Sequence, residues 1–194
     1  MKPTLPTVLS FNGGYVDTVG YLSLQGLFTA HVTGNFVTIG AALVFGTSGI
    51  VAKLLALPVF CMVIIATRLV SFKLPARWPV LETMLTLQLL LLLVAAVLAI
   101  AMGPFANGDG TPAIIVGMTL VSAMAIQNVA NRIHLAAAPP TTIMTGTTTQ
   151  MMIDIADLIR GVPGVAGDAL RSRLRRMGVA VLSFAAGAAA GALL

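Results

Sequence analysis

The chain has 194 residues, 58% of them hydrophobic and only 9% charged, with a mean hydropathy of +1.00. A soluble domain carries about 25% charged residues, so these figures exclude one and leave an integral membrane protein. The net charge of +5 does not point to nucleic acid, because the basic residues gather at helix ends, where membrane topology puts them.

The apolar residues form continuous runs rather than alternating segments, which predicts an all-α bundle and not a β-barrel. In chain order the runs predict helices over residues 7–28, 35–45, 51–72, 80–103, 112–131, 147–159 and 177–194. Lys2 precedes the first, but Pro3, Pro6 and the lack of a small-residue cleavage site make it a retained span rather than a cleaved signal. Five runs reach or approach the roughly 20 residues that cross hydrocarbon, whereas 35–45 and 147–159 do not. Glycine and proline punctuate the connections: Gly46 to Gly49, Pro75 and Pro79, Gly103-Pro104 through Gly110, Pro139-Pro140, and Gly161 to Gly164. Cys61 lies in an apolar run and reads as a small hydrophobe; a single cysteine builds no disulfide framework.

Charge placement discriminates between topologies. If all seven segments cross, Arg68, Lys73 and Arg77 fall opposite the cluster from Arg160 to Arg176, which violates the positive-inside rule in either orientation. If the two short segments are re-entrant half-helices, ten of the eleven Lys and Arg lie on one side and Lys53 alone on the other. The expected fold is therefore a single membrane domain over 1–194, with about five full spans and two re-entrant half-helices. Its N-terminus is cytoplasmic, and residues 7–103 and 112–194 form two inverted repeats. The second repeat has no partner for the 80–103 helix, so either the chain is shortened at its C-terminus or the fold is asymmetric.

Both short segments follow a polar phrase that occurs twice. The first copy is Thr29-Ala30-His31-Val32-Thr33-Gly34-Asn35; the second is Thr141-Thr142-Ile143-Met144-Thr145-Gly146-Thr147, with the glycines 112 residues apart. Polar breaks at membrane depth are tolerated where they line a cavity or are buried in protein, and a matched pair points to a transport site. Each break would aim a half-helix N-terminus, with its free N–H groups and partial positive charge, at the bundle centre. That favours a small anion or a polar neutral solute. Gly34 and Gly146 permit close backbone approach, while Asn35, Thr147 or the neighbouring threonines cap the helices. The plainer alternative is that the phrases only satisfy a buried backbone break.

With one gap, Asp17 in the first helix aligns with Asn128 in the second half. An intramembrane carboxylate is costly, and it either titrates or is paired; here the structural alternative is a hydrogen bond to the opposite repeat, with Asn128 as partner. His31 can protonate, bind a ligand or pack helices. Gln127, Asn128 and Asn131 form a polar stripe that should face inward. Asp154 and Asp157 read as structural partners of Arg160 or the basic loop. Gly187 and Gly191 allow close packing, within the bundle or in a homodimer. Candidate substrate-binding residues are thus Asp17, Thr29, His31, Thr33, Gly34, Asn35, Gln127, Asn128, Thr141, Thr145, Gly146 and Thr147. No metal, nucleotide or hydrolase motif occurs, so neither a cofactor nor an enzymatic activity is expected.

The run Gly13-Gly14-Tyr15-Val16-Asp17-Thr18-Val19-Gly20-Tyr21 and then Gly26 to Asn35, with Gln127-Asn128 and Thr145-Gly146-Thr147, resembles the bacterial YoaK-like membrane protein family. The resemblance covers essentially the whole chain. It implies an inner-membrane, permease-type protein with no assigned substrate, and one further hydrophobic segment beyond the position of Leu194. Three readings follow: a transporter with its substrate between the Thr-Gly phrases and Asp17, His31 and Asn128 lining the site; an aquaporin-like channel for a small anion or neutral solute; and a structural membrane module.

Overall fold

A computed structural model describes residues 3–75, 77–161 and 164–193. They form seven α-helices: α1 (Leu5–Ser23), α2 (Asn35–Phe45), α3 (Ile50–Lys73), α4 (Val80–Met102), α5 (Thr111–His134), α6 (Thr145–Arg160) and α7 (Gly164–Gly191). A single 3₁₀ turn, Val32–Gly34, precedes α2, and there is no strand among the described residues.

Two boundaries depart from the sequence expectation by five residues or more. The first helix ends at Ser23, five residues early, because Gln25 and Gly26 take positive φ values of 55° and 81° and the Gly26 N–H closes back onto the Tyr21 carbonyl. The last helix starts at Gly164, thirteen residues before the expected position, and absorbs the basic cluster. Arginine, leucine and alanine are strong helix formers whatever their polarity. Within this arm Arg173 docks onto Asp154 of α6, with Nε donating to Oδ2 at 2.7 Å, so Asp154 pairs there and not with Arg160. Residues 162 and 163 of the expected glycine-proline turn lie outside the described residues.

Among the described residues three helices are both long and apolar enough to cross a membrane: α3, α4 and α5. α1 has 19 residues, enough for about 28 Å of rise, but it carries Asn12 and Asp17. α7 is long enough at 28 residues, but its first half is basic. The α5 span is 61% buried, against 17% for α3 and for α4, so α5 is the axis of the bundle and its neighbours present apolar faces outward. Val44, Phe45, Val97 and Ile100 are 65–85% exposed, a surface compatible only with lipid or another apolar cover.

The packing follows a regular scheme. α1 lies along α7, α5 along α3, α2 against α3 and α6 against α7, while α4 covers α5. α1 and α7 run parallel at backbone contact. A Cβ on Gly187 would strike the Phe11 carbonyl, one on Gly14 the Phe184 carbonyl, and one on Gly191 would lie 2.8 Å from the Tyr15 carbonyl oxygen. The small-residue stripe therefore serves the bundle internally. α5 is antiparallel to α1, with Gly117 against Leu27 near its start and Gln127 bonded to Leu9 farther on.

One end of the bundle is tied by Asp109. Its carboxylate accepts from the N–H groups of Gly49 (2.9 Å), Ile50 (3.1 Å) and Ala52 (3.1 Å), capping α3 from sixty residues away. Ser48 Oγ accepts from Gly108 N at 3.0 Å, Gln25 Nε2 donates to the Phe105 carbonyl, and Lys53 Nζ donates to the Gln25 carbonyl at 2.7 Å. Both ends of the segment 25–49 thus lie together. Burial raises the Asp109 carboxyl, and the surrounding backbone N–H groups lower it by more, so it is held below the usual carboxylate range.

Candidate functional site

A cavity of about 480 Å³ lies where the two polar phrases meet. α1 contributes Asp17, Thr18 and Tyr21; the first break contributes Phe28 and His31; the second contributes the run from Thr142 to Thr145; and α7 contributes Phe184. Residues more than a hundred positions apart therefore share one concave surface, polar at its base and aromatic at its walls.

Asp17 sits at its base, 6% exposed. Oδ1 accepts from the backbone N–H groups of Thr29 (2.8 Å), Ala30 (2.8 Å) and His31 (3.5 Å), pinning the extended break against its own helix. The partner is thus the break that follows its own helix and not Asn128. Oδ2 accepts no hydrogen bond among the described residues, and it is not among the sealed, unpartnered polar atoms, so it is open to the cavity. The Phe28 ring packs against Tyr21 at 4.9 Å and against His31 at 5.7 Å between centroids. Gly34 makes this possible: a Cβ there would lie 3.0 Å from the Phe28 ring and 3.3 Å from His31 Nδ1.

The remaining expected site residues divide. Thr145 lines the cavity. Thr29 is fully buried and bonded to Asp17 and to the Val16 carbonyl. Asn35 clamps the Phe28 backbone, accepting its N–H at 2.9 Å and donating to its carbonyl at 2.8 Å. Thr33 is exposed and does not line the cavity. Thr141 is buried, its carbonyl against Gly13 and its Oγ1 accepting from Gln127 at 3.1 Å.

Gln127 is a packing hub. Its Nε2 donates to the Leu9 carbonyl (2.8 Å) and to Thr141, and its Oε1 accepts from Asn12 (2.8 Å) and Gln88 (2.7 Å). All four hydrogen-bonding positions are used, joining α1, α4, α5 and the second break. Asn128 accepts from Thr142 Oγ1 at 2.9 Å and donates to the Met124 carbonyl. It is separated from Asp17 and His31 by the second break and lines a second cavity, of about 370 Å³, together with Gly146 and Thr147. Among the described residues the two cavities share Thr142 and Ile143 as a wall.

Sequence reasoning missed Tyr21, Phe28, Phe184, Asn12 and Gln88. Tyr21 lies one turn beyond Asp17 on the same face, and Gln88 is a lone amide in a leucine run, so both carried a legible signal. Phe184 in an alanine-rich helix carried none.

A family model described as "Protein of unknown function (DUF1275)" matches residues 5–194. Among curated proteins the chain is similar to the UPF0700 transmembrane protein YoaK of Bacillus subtilis (strain 168), 35% identical over 160 residues that cover 80% of this chain and 68% of the relative. No solved structure matches.

Proposed function

The chain belongs to the DUF1275 family of unknown function, and from that premise we propose that it is a small-molecule transporter whose substrate occupies the cavity between the two polar breaks. The observation that carries this reading is the convergence of both phrases on one cavity with an open carboxylate oxygen at its base. An ionised Asp17 opposes a bare anion, so the substrate is a polar neutral solute or one that carries an ammonium group. An anion enters only with Asp17 protonated, which couples its movement to a proton.

Alternating access needs two equivalent halves, and the packing supports that reading. α1 on α7 mirrors α5 on α3, α2 on α3 mirrors α6 on α7, and Asp17 holds a break 12 to 14 residues downstream as Asn128 holds Thr142 14 residues downstream. Each short helix then enters and leaves by one face: α2 from the Asp109 end, α6 from the end that carries Arg132 and the α7 arginines. The positive-inside rule makes the latter end cytoplasmic in a bacterial inner membrane. The closed wall of Thr142 and Ile143 favours a gated transporter over an open channel.

Flux into proteoliposomes, screened over amines, amino acids and neutral polyols, tests the proposal. Saturable uptake that falls at least about tenfold in Asp17→Asn supports it, because the amide oxygen keeps accepting the break's N–H groups while the charge is lost. Unchanged uptake in Asp17→Asn, or no flux of any solute, rejects it.

A further inference from the structure

The cavity between the two breaks sets one buried acid among aromatic rings. Asp17 is 6% exposed and forms no ion pair with a described residue, and no described Lys or Arg lines the space around it. Its Oδ1 is committed to the backbone of the first break, while Oδ2 faces the cavity without a donor among the described residues. A carboxylate buried without a counter-cation is costly, and a bound cation offsets that cost. Three rings border the same space from three segments: Tyr21 of α1, Phe28 of the first break and Phe184 of α7. Tyr21 and Phe28 meet at 40°, a tilted corner and not a flat stack. Ile143 and Met144 add apolar surface from the second break, so the lining as a whole is mainly apolar.

We propose that the substrate of this site is a quaternary ammonium cation, its charge facing Asp17 Oδ2 and its methyl groups packed against Tyr21, Phe28 and Phe184. A polyol would leave the acid without a counter-charge. A metal ion would need several oxygen ligands and leave the rings unused. A primary ammonium brings three N–H donors to a cavity that offers one free carboxylate oxygen in a mainly apolar lining. A quaternary ammonium donates no hydrogen bond, and ring faces attract its diffuse charge. That assignment rests on the transport reading above, which it narrows to one charge type, and binding is measured apart from flux so that either can fail alone.

The full chain, purified in detergent, is titrated calorimetrically with choline, with the uncharged alcohol in which carbon replaces choline's nitrogen, and with ethanolamine. Choline should bind saturably, and at least about tenfold more tightly than either of the others. Asp17→Asn should weaken choline binding by at least about tenfold and Tyr21→Leu by about three- to tenfold, with Tyr21→Phe, which keeps the ring, recovering most of the loss. Tyr21 is 41% exposed, so both of its variants should unfold near the wild-type temperature without ligand, which separates a weakened site from a folding defect. Equal binding of the alcohol, tighter binding of ethanolamine, or an affinity for choline unchanged in both Asp17→Asn and Tyr21→Leu overturns the assignment. If choline does not bind while Asp17-dependent uptake of a neutral solute is found, the quaternary ammonium is wrong and the transport reading stands. If choline binds as stated and no solute is carried, the transport reading fails and the cation site stands.

Discussion

Asp17 divides its two oxygens between folding and the cavity. Oδ1 holds three backbone N–H groups of the first break, and Oδ2 faces the open space. The two duties separate by mutation: Asp17→Asn keeps an acceptor for the break, whereas Asp17→Ala strands buried N–H groups. Asp17→Ala should therefore lower stability by about 2–4 kcal/mol, measured by thermal unfolding in detergent, while Asp17→Asn changes it by less than about 1 kcal/mol. Gln127 has no share in the cavity, and its replacement should act on folding alone. Gln127→Leu leaves the Leu9 carbonyl, Thr141 and the amides of Asn12 and Gln88 short of partners, with a predicted cost of about 3–5 kcal/mol. A Gln127→Leu protein as stable as wild type would contradict the hub.

At the scale of elements, the glycines of α1 and α7 set the distance between these helices. Gly187→Val should force α7 off the Phe11 carbonyl and disrupt the bundle, seen as loss of a monodisperse peak in size-exclusion chromatography. Gly40→Ala, where a Cβ meets nothing, is the neutral control. The N-terminus of α3 depends on a cap from a distant loop. Asp109→Ala should reduce stability by about 1 kcal/mol. Because the folded-state pKa lies below the unfolded value of about 3.9, the difference between wild type and Asp109→Ala should be constant above pH 5. It should then shrink as pH falls through the folded pKa. Unfolding midpoints measured from pH 7 to pH 3 check this; a difference that grows on acidification contradicts it.

At the scale of the whole molecule, the directions of α3, α4 and α5 carry Lys73, Arg77 and Arg132 to the end opposite Asp109. Topology can be read chemically at two exposed positions. In a Cys61→Ala background, Thr47→Cys should react with an impermeant maleimide from outside intact cells, and Lys73→Cys only after the membrane is opened. The reverse result at either position would reject the re-entrant topology. Lys53 is a poor probe despite its charge, since it is 3% exposed and bonded to Gln25.

The sequence by itself determined that this is an all-helical membrane protein, located its helices and marked its two polar breaks, because these follow from apolar run length, glycine and proline punctuation and charge at helix ends. It also singled out Asp17, since a lone carboxylate in a span is conspicuous. Only the tertiary structure decided which polar residues face the cavity. Asn35, Thr29, Thr141 and Gln127 looked like site residues, yet each is consumed in satisfying backbone or amide groups, a distribution that depends on which helices meet. The structure also sent Asn128 and Thr147 to a second cavity and brought Tyr21, Phe28 and Phe184 around the first. For Gln127 that satisfaction is settled with Leu9 and Gln88, segments distant in sequence, and local pattern carries no record of it.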